Sequence, residues 1–382
     1  MTTDMITGIR VKLTNRTSQK ESMNQLSPLF FPGCAALLFL PGKAPYNYYS
    51  KDFEKGLKLY ASGVMIMEHC KDLLPDCFSF IRGVVDSRDL NLNISREMLQ
   101  QDRQVQAISK NLQKKIKAEL ANLMEEDREG YHAFFKAFGL GLKYALYATY
   151  GMERDLLLDL LEFDTTTQDA PATFAEYITR MPESQKYIYY ATGESAAQIK
   201  RLPQCERLTE LGYEVVCLTD DIDEFVMKML WQVEEKELRS ISEADLELES
   251  EAEKEALAQA RAAGEELFTN MKEALDGKVS EVAPTTRLKS HPVCLTSSSG
   301  VSLEMERVLR EQPNAADFPK ATRVLELNIA HPIYEKLKAL EPEQLKDYAS
   351  LLYNQALLIE GFPVEDPVEF SNAICRLMAM NN

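Results

Sequence analysis

Apolar side chains recur at steps of three and four residues between positions 105 and 123. The residues of this stripe are Val105, Ile108, Leu112, Ile116, Leu120 and Leu123. Such spacing predicts one long helix with a single buried face, and Asn93 or Ser95 would supply its N-terminal cap. A similar pattern over 128–151 predicts a second helix, and short apolar runs between 35 and 87 predict several strands.

Strand and helix patterns alternate between residues 173 and 231, which predicts a parallel sheet with right-handed crossovers. Binding crevices in such sheets lie beyond the carboxyl ends of the strands. Gly193, Glu194, Asp220 and Asp221 fall at those positions. Helix caps and turns are the commoner role for these residue types, so the pattern alone leaves a ligand site open.

The pattern in the last third of the chain predicts a domain boundary followed by an α-rich unit. Residues 240–264 are rich in Glu and Ala without an apolar stripe, which indicates a solvated helix or a flexible connector. Two final helices, over 342–361 and 365–378, are more apolar than a small domain can cover. A second copy of the chain would cover them, and packing on the preceding sheet is the alternative.

Composition excludes several function classes. In 382 residues, 45% are hydrophobic, which is enough for sizeable cores, and a net charge of −17 disfavours nucleic-acid binding. No apolar run reaches the ~18 residues of a bilayer span. Seven scattered cysteines without a CxxC motif indicate reduced thiols in a cytoplasmic protein. Four isolated histidines give no support for a metal site.

Arg96 is the candidate for chemistry. A cation beside a helix N-terminus would create a site for a phosphate, with Asn93 and Gln100 adding neutral hydrogen-bonding groups. A surface ion pair with Asp86, Asp89 or Glu97 explains the same arginine without a ligand. The chain contains neither GxxxxGK[ST] nor GxGxxG, so the pattern supplies no pocket for the nucleotide that such an arginine would serve.

Several long motifs occur in an order that resembles a known family. They include GVVDSRDLNLNISREMLQQ (83–101), RMPESQKYIYYATGES (180–195), SLEMERVL (302–309) and LLYNQALLIEGFPVEDPVEF (351–370). Together with shorter matches they span about residues 34–378. This combination resembles the middle and C-terminal parts of the bacterial branch of the heat-shock protein 90 chaperone family.

The resemblance implies a fold class and a division of the chain. The fold would be an α/β middle domain of two αβα layers joined by long helices, followed by an α+β C-terminal dimerisation domain. The implied segments are an unstructured leader (1–33), a truncated middle domain (34–239), an acidic connector (240–264) and the C-terminal domain (265–382). The middle domain would itself consist of a catalytic-loop subdomain (34–125), a helical linker (126–165) and a smaller αβα subdomain (170–239).

The resemblance also implies roles for particular residues. Arg96 would reach the γ-phosphate of ATP, bound with Mg in a separate N-terminal domain, while Asn93 and Gln100 would shape the same loop. This chain alone would bind no nucleotide and would show little ATPase activity. The residues implied in client binding are Val301, Met305, Val308 and Leu309. The residues implied in the homodimer interface are Leu351, Leu352, Leu358, Ile359, Ile374 and Leu377.

The implied function is binding of unfolded or partly folded client proteins within an ATP-driven folding cycle. Two other hypotheses stay open. One is an α/β enzyme in which Arg96 clamps a phosphorylated small molecule. The other is a regulatory remnant that dimerises without catalysis.

Overall fold

The computed structural model describes residues 23–25, 29–31, 33–50, 52–90, 102–298, 300–311, 313 and 317–380. The chain divides into two compact units, 1–161 and 162–382. Their boundary lies inside the helical linker expected at 126–165. The acidic segment 240–264, where the sequence predicted a domain boundary, lies within the second unit.

Unit 1 contains a six-stranded mixed sheet. Its strands are β1 (Met23–Gln25), β2 (Leu29–Phe31), β3 (Cys34–Pro41), β4 (Leu57–Ala61), β5 (Val64–Cys70) and β6 (Arg82–Ser87). The order is β1-β3-β6-β4-β5, with β2 also on β3, and β4 runs parallel to β6. Since β1 and β2 both lie within 1–33, the expectation of an unstructured leader is wrong for these two segments.

The predicted strands of unit 1 are confirmed, and their side-chain alternation explains the sheet. Along β4, Leu57, Leu59 and Ala61 are completely buried while the residues between them are half-exposed. Ser62 and Gly63 then have φ values of 49° and 81°. Two consecutive residues in the left-handed region form the tight turn that suits a two-residue hairpin.

Three helices follow in unit 1: α1 (Arg103–Glu126), α2 (Arg128–Ala148) and α3 (Arg154–Leu157). The predicted stripe on α1 is confirmed, and Leu112, Ile116 and Leu120 have no exposed surface. The predicted start is wrong. Asp102 is the N-cap, because its backbone is extended and its carboxylate accepts the N–H groups of Gln104 and Val105.

Unit 2 begins with a second six-stranded sheet, in the order β11-β12-β9-β10-β7-β8. Its strands are β7 (Glu162–Thr165), β8 (Ala172–Thr173), β9 (Ile188–Thr192), β10 (Val215–Leu218), β11 (Gln232–Val233) and β12 (Lys236–Ser240). The predicted parallel pairing is confirmed for β9 with β10 and with β12, whereas β7 runs antiparallel to β10.

The helices of this part are α4 (Phe174–Arg180), α5 (Ala196–Ile199), α6 (Cys205–Glu210) and α7 (Asp223–Leu230). Ser195 caps α5, as the sequence predicted, by accepting the N–H of Gln198. At the end of α7, Trp231 has a φ of 45° and 59% of its surface exposed. A bulky residue rarely adopts this left-handed conformation.

The rest of unit 2 is a three-stranded sheet covered by helices. The strands are β13 (Glu281–Thr285), β14 (Val293–Ser297) and β15 (Arg323–Asn328), in the order β13-β15-β14. The helices are α8 (Glu251–Ala263), α9 (Glu265–Ala274), α10 (Leu303–Arg310), α11 (Pro332–Lys338), α12 (Pro342–Ile359) and α13 (Pro367–Met380). The sequence predicted β15, α10, α12 and α13. It did not predict β13 and β14.

The acidic segment is only partly solvated. Helix α8 has no buried residue, as expected of a solvated helix. By contrast, Ile241 and Leu246 are 0% and 1% exposed. Ser297 at the end of β14 donates its N–H to the carbonyl of Ser242 and accepts the N–H of Ala244. Residues 241–246 are therefore fixed against the three-stranded sheet and do not form a flexible connector.

These three sheets and their covering helices give the described part of the chain a mixed α/β fold. Among the described helices, none is long and apolar enough to cross a bilayer.

Candidate functional site

The loop with Arg96, Asn93 and Gln100 lies outside the described residues. The residues that follow this loop are described, and α1 begins only after the Asp102 cap. The helix that carries the apolar stripe therefore begins seven residues after Arg96. The prediction that Arg96 binds an anion falls on the undescribed loop and stays a prediction. The enzyme hypothesis depends on the same undescribed loop.

A small cleft in unit 2 lies at the carboxyl ends of β9 and β12, where the sequence suggested a crevice. Gly193 and Glu194 line it, together with Glu224 of α7, Glu304 of α10 and Glu360 at the end of α12. Asp220 and Asp221 are not part of its lining. The backbone N–H of Asp220 instead donates to the carboxylate of Asp223, within the turn that leads into α7.

Two carboxyl groups of this cleft have strongly perturbed acidities. Burial raises the pKa of Glu224 to about 7, and a hydrogen bond from Ser302 and the charge of Lys228 offset only part of that rise. Burial likewise raises the pKa of Glu360 to about 7, against a hydrogen bond from Gln204. Desolvated carboxyl groups mark a place where a proton or a counter-cation is favoured.

Helix α10 carries the residues expected to bind clients. Ser302 caps it by accepting the N–H of Met305, and Leu303 is buried beneath it. On its inner side, Glu306 is 3% exposed and accepts hydrogen bonds from Arg323 and from the backbone of Ala321. The four expected residues are all half-buried, and they are Val301, Met305, Val308 and Leu309. They thus retain apolar surface that is open to solvent.

The last two helices pack on each other and expose further apolar surface. Arg376 of α13 bridges to Asp347 of α12 at 3.0 Å, and Asp366 caps α13 by accepting the N–H groups of Val368 and Glu369. The large exposed apolar side chains here are Leu358 (51%), Val368 (71%) and Met378 (69%).

The six residues expected in the homodimer interface differ in how deeply they are buried. Leu352 and Leu377 are 2% and 5% exposed and belong to the core of this chain. Leu351, Ile359 and Ile374 are half-buried, and Leu358 is exposed. Any interface with a second copy would therefore rest mainly on Leu358 and the half-buried residues, because the two buried leucines are already covered by their own chain.

Sequence reasoning missed a deeply buried ion pair of unit 2. Arg287 is 3% exposed, and its Nε lies 3.0 Å from Oε2 of Glu326. Its terminal nitrogens donate to the carbonyls of Glu243 and Ala244. Arg287 begins the segment RLKSHPVCL (287–295). The partners named above lie 39–44 positions away from it in the chain. Only the fold could identify them.

The described thiols are poorly placed for chemistry. Six cysteines are buried and Cys375 is exposed. Burial raises the pKa of Cys34 to about 12 and that of Cys70 to about 11, which disfavours the reactive thiolate. Within the described ranges, no group of three or more His, Cys, Asp or Glu side chains could hold a metal ion.

The fold and these surfaces define a mixed α/β protein whose α-rich end exposes apolar helices. The family model for Hsp90 protein matches residues 33–382. The chain therefore belongs to the Hsp90 family.

Its similarity to curated proteins narrows the branch of that family. The chain is 52% identical over 346 residues to the chaperone protein HtpG of Oceanobacillus iheyensis. It is 51% identical to the proteins of the same name from Clostridium botulinum and Halalkalibacterium halodurans. Each match covers 90% of this chain and 55% of the relative, so the chain spans about half the length of these proteins.

Proposed function

We propose that this chain forms the polypeptide-binding and dimerising part of an ATP-driven molecular chaperone. Membership of the Hsp90 family supports the class, and the names of its relatives support chaperone work. The observation that carries the proposal is the apolar surface left open on α10, α12 and α13. Such surface suits binding of unfolded segments or of a second copy.

Dimerisation is proposed for the surface formed by α12 and α13. Leu358 and Met378 expose 51% and 69% of their surfaces, and the ion pair between Arg376 and Asp347 fixes the two helices to each other. A preformed, apolar, two-helix surface is what a symmetric interface needs, because each copy contributes the same patch.

Light scattering on the purified chain at micromolar concentration tests this dimer. We expect the mass of two chains for the native sequence and of one chain for the Leu358→Glu/Met378→Glu variant. Met152→Glu is the matched control, because Met152 is 81% exposed but belongs to unit 1, and it should remain dimeric. A native chain that is monomeric would contradict the proposal.

Client binding is proposed for the half-buried apolar residues of α10. Methionine suits a surface that accepts many sequences, since its flexible thioether adapts to different partners. We expect Met305→Glu to suppress the aggregation of a heat-denatured protein less well than the native chain does. Val64→Glu, at a 54% exposed position of unit 1, should retain suppression. Equal suppression by both variants would remove α10 from the proposal.

ATP coupling is proposed for Arg96, on the family resemblance. We expect the chain alone, supplied with Mg and ATP, to hydrolyse ATP at background rate. Adding an N-terminal nucleotide-binding domain of the family as a separate polypeptide should stimulate hydrolysis. Arg96→Ala should abolish the stimulation, while Lys110→Ala, at an exposed position of α1, should preserve it. Hydrolysis by the chain alone that Arg96→Ala abolishes would contradict the division of labour proposed here.

A further inference from the structure

The cleft at the carboxyl ends of β9 and β12 is small and lined by oxygen atoms. Its volume is about 20 Å³, which exceeds the ~10–15 Å³ that one water-sized occupant needs and is far below that of a nucleotide or metabolite. Thr192, Ser240 and Ser242, which carry hydroxyl groups, are among the lining residues. The occupant must therefore be a single small species that is coordinated by oxygen.

The charges around the cleft favour a cation. Four carboxylates line it, and the one positively charged side chain in the lining is Arg307. Arg307 is already paired with Glu304, which leaves Glu194, Glu224 and Glu360 in excess. Lys228 acts on Glu224 from its own helix, while Glu243 adds a further negative charge. Above pH 7, where Glu224 and Glu360 with their raised pKa values are ionised, the lining carries a net negative charge, although the N-terminus of α10 reduces it.

Glu224 provides the independent sign of a ligand. The residue is 1% exposed, and its Oε1 atom has no hydrogen-bond partner among the described residues. Its carboxyl group is also held by the hydroxyl of Ser302, so its position is fixed. A buried carboxylate oxygen without a partner costs on the order of 1–3 kcal/mol or more, and Glu224 is one of the residues that line the cleft.

We propose that this cleft binds one monovalent cation of potassium or ammonium size, with Glu224 Oε1 as its charged ligand. The neighbouring hydroxyl oxygens complete the coordination. A divalent ion fits less well, because within the described residues no three carboxylate, His or Cys side chains converge as a metal cage. Both proposed ions are close to a water molecule in size and favour oxygen ligands.

Thermal unfolding, followed by circular dichroism, tests this site on the complete chain. Chlorides of potassium, ammonium and tetramethylammonium are compared at equal ionic strength and pH. We expect the first two to raise Tm above its value in tetramethylammonium by about 3–5 °C when the salt is at about ten times its Kd. Tetramethylammonium is too large for the cleft, so it controls for screening.

The variants separate this cleft from general salt effects. Glu224→Gln should unfold at the same temperature in all three salts. Glu255→Gln, the same substitution at an exposed position of α8, should keep the response of the native chain. Should Glu224→Gln fail to fold, crystals of the native chain grown in rubidium chloride should show an anomalous peak beside Glu224 Oε1.

Three results would overturn the proposal. The first is an equal Tm of the native chain in all three salts, and the second is an ion response that persists in Glu224→Gln. The third is the absence of a rubidium peak in the cleft. If the carboxyl group takes a proton instead of an ion, acid will stabilise the native chain equally in every salt, which gives the first of these results.

Discussion

Replacement of Arg287 by methionine should loosen the junction between residues 241–246 and the three-stranded sheet. The guanidinium of Arg287 is 3% exposed and pairs with Glu326, which is 4% exposed. It also donates to the carbonyls of Glu243 and Ala244. Methionine keeps the length of the side chain but removes the charge and every donor.

The loss of stability in Arg287→Met depends on the buried groups that remain without a partner. Removing one member of a buried ion pair costs about 3–5 kcal/mol, since the partner charge remains desolvated. Glu326 keeps a hydrogen bond of 3.0 Å from Thr296, which softens the loss, while two carbonyls lose their donors. We therefore expect the free energy of unfolding of unit 2 to fall by about 3–4 kcal/mol.

Urea unfolding and hydrogen exchange together check this prediction. Exchange should accelerate across 241–246 in Arg287→Met, while the amides of α1, in unit 1, should be unchanged. The double variant Arg287→Met/Glu326→Leu should recover most of the lost stability, because it leaves no buried charge. A loss below about 1 kcal/mol, or a double variant no more stable than the single one, would refute the reasoning.

Three smaller perturbations follow. Asp102→Ala should destabilise unit 1 by about 1 kcal/mol in urea titrations, because it removes the cap of α1. Leu112→Ala should cost about 2–5 kcal/mol in the same assay, since Leu112 is 0% exposed. In tetramethylammonium buffer, stability should decrease as the pH rises through about 7, because Glu224 binds its proton more tightly in the folded state than at its usual value of 4.5. Glu224→Gln should reduce this dependence in thermal scans and leave the part that is due to Glu360.

Local patterns predicted α1 well because its stripe repeats over about five turns, but its start was misplaced. Asn93, Ser95 and Asp102 are all good capping residues. The distance to the first periodic residue decides between them, and Val105 lies three residues after Asp102. Strand β13 was missed because Pro284 interrupts it. A proline is tolerated there since β13 lies at the edge of its sheet.

The candidate sites were predictable only where local sequence carries them. The amphipathic pattern of α10 and the apolar ends of α12 and α13 were visible in the sequence. The sequence suggested a crevice beside Gly193 and Glu194 but not the contribution of Glu224, whose carboxyl group meets Ser302, 78 positions away. Periodicity carries no information about such pairs. The ion pair between Arg287 and Glu326 was not predicted for the same reason.

Trp231 determines what an optical experiment on this protein reports. It is the single tryptophan of the sequence, it belongs to unit 2, and it is 59% exposed. The fluorescence emission of Trp231 will therefore shift little when unit 2 unfolds. It will not report the unfolding of unit 1. Tyrosine absorbance or backbone ellipticity must be recorded to follow both halves, and the indole is better used as a quenching probe of the turn that follows α7.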